Sequence, residues 1–402
     1  MFTGRDGRNM LVPFLLVASL FFLWGFAHSI LDVLNKHFQD VLVISKARSA
    51  LVQAAVYGGY FLMALPAGMI IRRRGYRFGV VLGLLLYGIG ALLFIPGAAM
   101  MSFPFFLLCL LIIGCGLTCL ETSANPYVTV LGSPDAAARR LNLAQSLNGL
   151  GWMAGPMAGG LLILGDDSDI ALPYAVVGCV VLALALVFSR VKLPEVSEND
   201  GAAQSRGAGD TSRRSIWRMP SFVFGVVALF FYVAAQTGIN SFFINYVTEN
   251  DPAVNPRTAA VLLSLGGMGM FFIGRLLGTW VMKYVRPSRL VLLFALCASV
   301  CMALVIAGAG RLSVTALCAT YLFESIMFPT IFSMSVAGIS GPETKTASSV
   351  LIMSIVGGAV APVVMGLIGE RVMAAGFILP LVCFIVIAAY SFWYGRRGPM
   401  RT

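Results

Sequence analysis

Runs of about twenty apolar residues recur along this chain from one end to the other, and that recurrence limits the folds open to it. A helix crossing a bilayer's hydrocarbon core needs roughly 20 mostly apolar residues. Twelve such segments can be read: 11–36, 49–72, 78–98, 102–131, 141–164, 170–190, 220–247, 257–283, 288–309, 313–340, 346–368 and 375–395. Apolar residues make up 59% of the chain and charged residues 11%, against roughly 25% charged in a soluble domain. A single soluble core cannot absorb this much apolar surface, because larger chains split into domains instead. The expected fold class is an all-α membrane protein with twelve transmembrane helices. The first segment has too long an apolar run for a cleaved leader, and no small-x-small pattern ends it.

One interruption differs from the rest. Residues 192–219, "KLPEVSENDGAAQSRGAGDTSRRSIWRM", are polar and charged, with Gly, Ala and Ser between. That composition makes a flexible linker. It divides the chain into an N-terminal six-helix half (1–191), a cytoplasmic linker (192–219) and a C-terminal six-helix half (220–402). The net charge of +11 could suggest nucleic acid as a partner, but its distribution points to membrane orientation. With the N-terminus inside, 21 of the 28 Lys and Arg residues fall on the cytoplasmic side, while the acidic "DDSD" at 166–169 falls outside. The positive-inside rule then places both termini and the linker in the cytoplasm of a bacterial inner-membrane protein. The eight cysteines all lie in apolar runs and show no metal spacing, so they read as small buried apolar residues.

The two halves repeat each other. "GMIIRRRGYR" from Gly68 matches "GTWVMKYVRP" from Gly278. "ETSANP" puts Glu121 five residues before Pro126, and "ESIMFP" puts Glu324 five before Pro329. Pro156 and Gly160 correspond to Pro362 and Gly366, and "FFLW" at Phe21 to "FFYV" at Phe230. Four matches in order at nearly constant offset indicate two parallel six-helix repeats. Secondary transporters that alternate access to a midplane site are built this way.

Three acidic residues lie inside segments: Asp32, Glu121 and Glu324. An intramembrane carboxylate costs on the order of 2.5–3.5 kcal/mol on insertion scales and marks an ion or substrate path. Helical spacing groups further polar residues with them. His28 and Asp32 are four apart and share a face, with Trp24 one turn back and Ser29 adjacent. Glu121 and Asn125 are likewise four apart. Asn142, Gln145 and Asn148 form the stripe of "NLAQSLN", and the seventh segment carries Gln236, Thr237 and Asn240. Amides offer donors and acceptors together, as sugar hydroxyls require. Trp24 or Phe328 could stack on a pyranose. Amides also bond helix to helix in membranes, so the set as a whole carries the sugar reading rather than any one member. Asn142, Thr237 and Glu324 are further candidates. His37, beside Lys36 and Asp40, reads as a solvated interface residue.

No Walker loop, zinc spacing or nucleophile elbow occurs in a suitable context, so no enzyme activity, cofactor or metal is expected and a pre-existing ion gradient must drive uphill transport. A potential of ~100 mV supplies about 2.3 kcal/mol per charge, or roughly 50-fold accumulation. Proton and sodium both remain open as the coupling ion. The partners expected are a small sugar and the lipid bilayer, with the chain a monomer and no nucleic acid. An exporter or antiporter on the same fold, and a sugar sensor that does not transport, are the alternatives.

"GMIIRRRGYR" resembles the loop motif of the major facilitator superfamily, with Arg72 where an Asp is usual. "FFLWGFAHSILDVL", "ALVQAAVYGGYFLMALPAG", "CLETSANPYVTVLG", "RRLNLAQSLNGLG" and "FPTIFSMSVAG" resemble the fucose–galactose–proton symporter family over nearly the whole chain. The resemblance implies a twelve-helix proton-coupled sugar symporter. It implies proton coupling and substrate recognition at Asp32 and Glu121, and sugar contacts at Trp24, Gln145 and Asn148. The fucose permease pattern has two asparagines where this chain has His28 and Ser29. It has a tyrosine where Phe328 stands, and no acidic counterpart of Glu324. The sugar is therefore left open among monosaccharides.

Overall fold

The computed structural model describes residues 10–131, 137–164, 171–191, 216–282, 284–337, 339, 347 and 350–397. The linker from 192 to 215, the "DDSD" loop and both chain ends lie outside these residues. The described chain is helical throughout its main elements. They are α1 (Leu11–Leu42), α2 (Lys46–Ile71), α3 (Arg73–Met100), α4 (Phe103–Asn125), α5 (Ala137–Leu162) and α6 (Ala171–Arg190). The second set is α7 (Pro220–Asn250), α8 (Pro256–Val281), α9 (Pro287–Ala307), α10 (Arg311–Val336), α11 (Val350–Ile368) and α12 (Met373–Arg397). Eleven of the twelve are long and apolar enough to cross a membrane. The twelfth, α5, falls short because its amide stripe and its glycines leave no stretch apolar enough. The elements group into two compact units. One holds Met1–Val43 and Ala55–Asp200, the other Ile44–Ala54 and Gly201–Thr402.

In the first unit, glycines set how closely the helices approach. An added Cβ at Gly25 would meet the backbone of Asn148, and one at Gly151 the backbone of Phe22. At Gly155 it would meet Ser29, and at Gly159 the side chain of Val33. Positions 151, 155 and 159 are one turn apart, so a single edge of α5 lies against α1 backbone to backbone. The same device holds α4. Gly59 and Gly114 bring α2 against it, and Gly83 and Gly116 bring α3. Near the start of α3 the chain kinks at Gly75, whose φ of 83° favours glycine. Beyond it, Arg77 donates from Nε to the Phe188 carbonyl at 3.1 Å and from Nη2 to the Ser189 carbonyl. These carbonyls end α6, where no further helical N–H remains to satisfy them. The last turns of α1 carry a Lys36–Asp40 ion pair of 2.8 Å at i, i+4. His37, expected at a solvated interface, is buried at 6% exposure. It lies on the inward side of the turn that exposes Asp40.

In the second unit, Gly357 admits the Phe230 backbone and Gly225 admits Ser335. The stretch Ile44–Ala54 has its own anchor there. Lys46 pairs with Glu249 at 2.5 Å and donates to the Gly369 carbonyl at 2.9 Å. The Glu370 carboxylate accepts from the N–H groups of Lys46 and Ala47 at 3.3 and 3.4 Å. Two helices depart from regular geometry. Within α8, Leu263–Met268 is a π-helical turn. Within α10, the helix stops at Glu324 and restarts at Met327. Arg275 of α8 donates to the Ser325 carbonyl freed at that break, at 3.4 Å. All eight cysteines are free thiols; Cys109, Cys119 and Cys383 are buried as expected, Cys115, Cys297, Cys301 and Cys318 are half-buried, and Cys179 is exposed.

Candidate functional site

The polar face of α1 forms the spine of the first unit's site. Trp24, His28 and Asp32 follow one another at four-residue steps, and His28 and Asp32 are buried at 6% and 2% exposure. The i, i+4 spacing suggested Asp32 as the partner of His28. In the structure His28 Nε2 lies 2.9 Å from the Tyr60 hydroxyl of α2. Four aromatic rings surround the imidazole. Trp152 of α5 stacks on it at 5.9 Å and 17°, Tyr60 and Tyr57 lie at 5.4 and 5.7 Å, and Trp24 meets it edge-on at 6.4 Å. Glu121 of α4 and the Trp24 indole lie beside the same tyrosine side chain.

Glu121 owes its position to the glycine contacts that fix α4 between α2 and α3. Thr118 and Thr122 flank it, each hydroxyl returned to the carbonyl four residues back at 2.8 and 2.7 Å. One turn further, Asn125 is half-buried, and its Oδ1 has no hydrogen-bond partner among the described residues. An acceptor left open beside a carboxylate and aromatic faces suits a polyhydroxyl ligand.

Other sequence candidates make different contacts. Ser29 points to α5, with Phe26 and Gly151 carbonyls each 3.3 Å from its hydroxyl. The Asn148 amide donates to the Phe21 carbonyl at 2.9 Å. Both side chains therefore take part in the α1–α5 seam. Gln145 is half-buried one turn before Asn148. Asn142 lies outside the side chains described. Tyr57, Tyr60 and Trp152 were missed in the sequence because aromatics in apolar runs look like packing. A signal existed: Trp152 is seven residues after Gln145, on the same face.

In the second unit, α7 carries Gln236 half-buried, Thr237 at 4% and Asn240 at 3% exposure. Asn240 Oδ1 has no partner among the described residues. Phe328 of α10 lies between Tyr232 at 6.0 Å and Phe332 at 6.4 Å. Glu324 is fully buried, and neither of its carboxylate oxygens has a hydrogen-bond partner among the described residues. Among those residues no group of His, Cys, Asp and Glu is arranged to hold a metal ion. An apolar cavity in the first unit, lined by Phe26, Ile30, Tyr87 and Tyr174, contains none of these side chains. Tyr87 and Tyr174 are the lining residues with a polar side chain, and the rest are apolar.

Comparison with known proteins bears on these arrangements. Residues 13–354 match the model of the Major Facilitator Superfamily. The chain is 34% identical over 382 residues to a glucose/galactose transporter of Brucella abortus (strain 9-941), covering 92% of this chain and 91% of the relative. It is 35% identical over 416 residues to the L-fucose-proton symporter of Escherichia coli (strain K12), covering 96% and 94%. A crystal structure of an E. coli fucose:proton symporter variant, FucP, superposes with a TM-score of 0.68 at 34% identity, over 96% of this chain and 99% of that one. A D-xylose-proton symporter superposes at 0.76 with 12% identity, over 94% and 96%, which is a likeness of fold alone.

Proposed function

Because the chain belongs to the Major Facilitator Superfamily, and its relatives over nearly its whole length transport sugars, we propose that it takes up a monosaccharide by proton-coupled symport. It is a transporter and not an enzyme. The observation that carries the reading is the first unit's site, where a carboxyl group, Glu121, lies beside Tyr60, whose hydroxyl meets His28 within an aromatic box.

Glu121 and Asp32 are the groups proposed to load and release the proton. A proton on either removes a charge whose burial costs free energy, so loading favours the movement of the empty or sugar-bound carrier. Trp24, His28, Asn125 and Gln145 bind the sugar from the first half. Gln236, Asn240 and Phe328 bind it from the second. Ser29 and Asn148 act in that site through the seam that holds α1. Access alternates between two six-helix halves, 1–191 and 220–402, joined by a cytoplasmic linker. The protein is a monomer of the bacterial inner membrane with both termini inside, as the Lys and Arg bias supports. The coupling ion is the proton, and no other cofactor is required. A C-terminal alkaline phosphatase fusion should be inactive, and a fluorescent protein fusion at the same point should glow.

Reconstitution in proteoliposomes tests the central claim. An imposed pH gradient, acid outside, should drive sugar inward, with alkalinisation of the outer medium. Sugar entry indifferent to the gradient, or driven only by sodium, would sink the coupling. A counterflow panel of fucose, galactose, glucose and amino sugars identifies the substrate.

A further inference from the structure

We propose that the second unit binds an anionic phospholipid where α9 begins and α12 stops, with the phosphate on Arg289 and Arg396 and the acyl chains along those two helices. The site is independent of which solute the protein carries. Three helix ends adjoin there. Tyr390 of α12 donates to the Ser221 carbonyl of α7 at 3.5 Å, and Trp393 meets Phe224 of α7 edge-on at 4.9 Å. A Cβ added at Gly395 of α12 would lie 3.5 Å from the Ser288 hydroxyl of α9. These ends carry five arginines: Arg218 just before α7, Arg286 and Arg289 at the start of α9, and Arg396 and Arg397 at the end of α12. All five are exposed, and none has a side-chain hydrogen bond or ion pair with a described residue.

Charge elsewhere in the molecule is met by protein groups. In the first unit, Arg77 gives its N–H groups to the Phe188 and Ser189 carbonyls. At the opposite end of the second unit, Lys46 pairs with Glu249. Around the five arginines, residues 216–225, 284–292 and 388–397 contain no Asp or Glu. Cations gathered at adjoining helix ends without an acid repel one another. Phosphate is an anion that the guanidinium fork matches.

The helix faces require that this anion carry hydrocarbon. On α12, Ile378, Val382, Ile385 and Phe392 are exposed, and steps of four, three and seven keep them on one stripe. The next step of four reaches Arg396, whose guanidinium lies over the Phe392 ring at 4.3 Å. On α9, Leu293, Leu296 and Val300 form a similar exposed stripe, and Arg289 stands one step of four before Leu293. The two helices pack against each other. Each therefore offers the bilayer an apolar face that ends on an unpaired arginine. A free phosphate would use the arginines and leave the stripes uncovered. A zwitterionic lipid would bring its own cation against them. A phospholipid of net negative charge fits both parts. Exposed Trp217 and Tyr284, close in sequence to Arg218 and Arg286, are side chains of the kind that sit among headgroups.

The test counts lipid retained by the purified full-length protein in native mass spectrometry, with the melting temperature as a second reading. Phosphatidylglycerol should be retained and raise the melting temperature. Phosphatidylethanolamine with the same chains should bind roughly tenfold more weakly. Inorganic phosphate and glycerol phosphate should leave the melting temperature unchanged. Arg289→Gln with Arg396→Gln should weaken phosphatidylglycerol binding by about tenfold or more. Arg257→Gln with Arg311→Gln removes the same charge from the other end of the unit and should leave binding at the wild-type value. Equal retention of the two lipids, wild-type binding in the Arg289 and Arg396 pair, or equal loss in both pairs overturns the site. A phosphate or glycerol phosphate shift equal to that of the lipid overturns the lipid assignment. Should the first pair fail to assemble, Arg396→Gln alone decides. None of these readings uses transport, so failure of the symport reading leaves them intact.

Discussion

Glu121 and Glu324 occupy matching places in the two repeats, each five residues before a proline, yet their surroundings have little in common. Glu121 is half-buried and lies beside Tyr60, whose hydroxyl meets His28 at 2.9 Å. Glu324 is fully buried, and its oxygens have no hydrogen-bond partner among the described residues. An ionised carboxylate without donors in such a place costs several kcal/mol, far more than a neutral acid. The Tyr60 hydroxyl beside Glu121 can donate to a carboxylate or accept from a neutral acid. Around Glu324 neither form finds a partner among the described residues. The difference teaches that a repeat can copy a residue's place without copying its chemistry. On the proposed function, gradient coupling falls to the carboxyl whose neighbours can rearrange with its proton.

Four experiments bear on that contrast. Glu121→Gln should remove gradient-driven accumulation altogether, a loss of roughly 50-fold at ~100 mV; accumulation assays with labelled sugar read it directly. Replacing the open amide acceptors should cost less. Asn125→Ala and Asn240→Ala each remove one hydrogen bond to a hydroxyl, about 0.5–1.5 kcal/mol, or roughly 2- to 12-fold in apparent affinity. If only the Asn125 variant weakens counterflow, sugar is bound by the first half alone. Glu324→Gln swaps a neutral acid for an amide of the same shape, so accumulation should change by less than about twofold, within ~0.4 kcal/mol. A collapse like that of Glu121→Gln would make the two carboxyls equivalent and end the contrast. Arg275→Gln should leave accumulation intact and only lower the melting temperature, since it weakens one charge-assisted bond to the Ser325 carbonyl, worth about 1.5–3 kcal/mol in a favourable setting.

Much of the architecture could be read in advance, because apolar length is a property of single segments. The twelve helices follow from runs and spacings. The amide stripe of α5 marks that helix as the least apolar of the set, for the reason that also drew notice to it. The site was legible only as far as one helix face reaches. Trp24, His28 and Asp32 share a face by spacing alone, but the partner of His28 comes from α2, and no spacing within α1 can reveal it. Ser29 and Asn148 expose a second limit. A hydroxyl or an amide can bond a sugar or a carbonyl of the next helix, and the glycines opposite decide which. His37 fits the same lesson, since its charged neighbours suggested water while its own side turns inward.

The seam of Gly151, Gly155 and Gly159 has a consequence for how variation in this chain should be interpreted. These three positions accept hydrogen and nothing larger, because a backbone or side chain of α1 stands where a Cβ would be. In a saturation mutagenesis map they would score among the least tolerant positions, beside Glu121 and Asp32. Leu150, Leu161 and Leu162 on the outward side of the same helix are exposed and would tolerate most apolar exchanges. Intolerance along α5 would therefore trace the fit between two helices. Functional scores from such a map would need a separate measure of membrane abundance before any glycine in it was credited with transport.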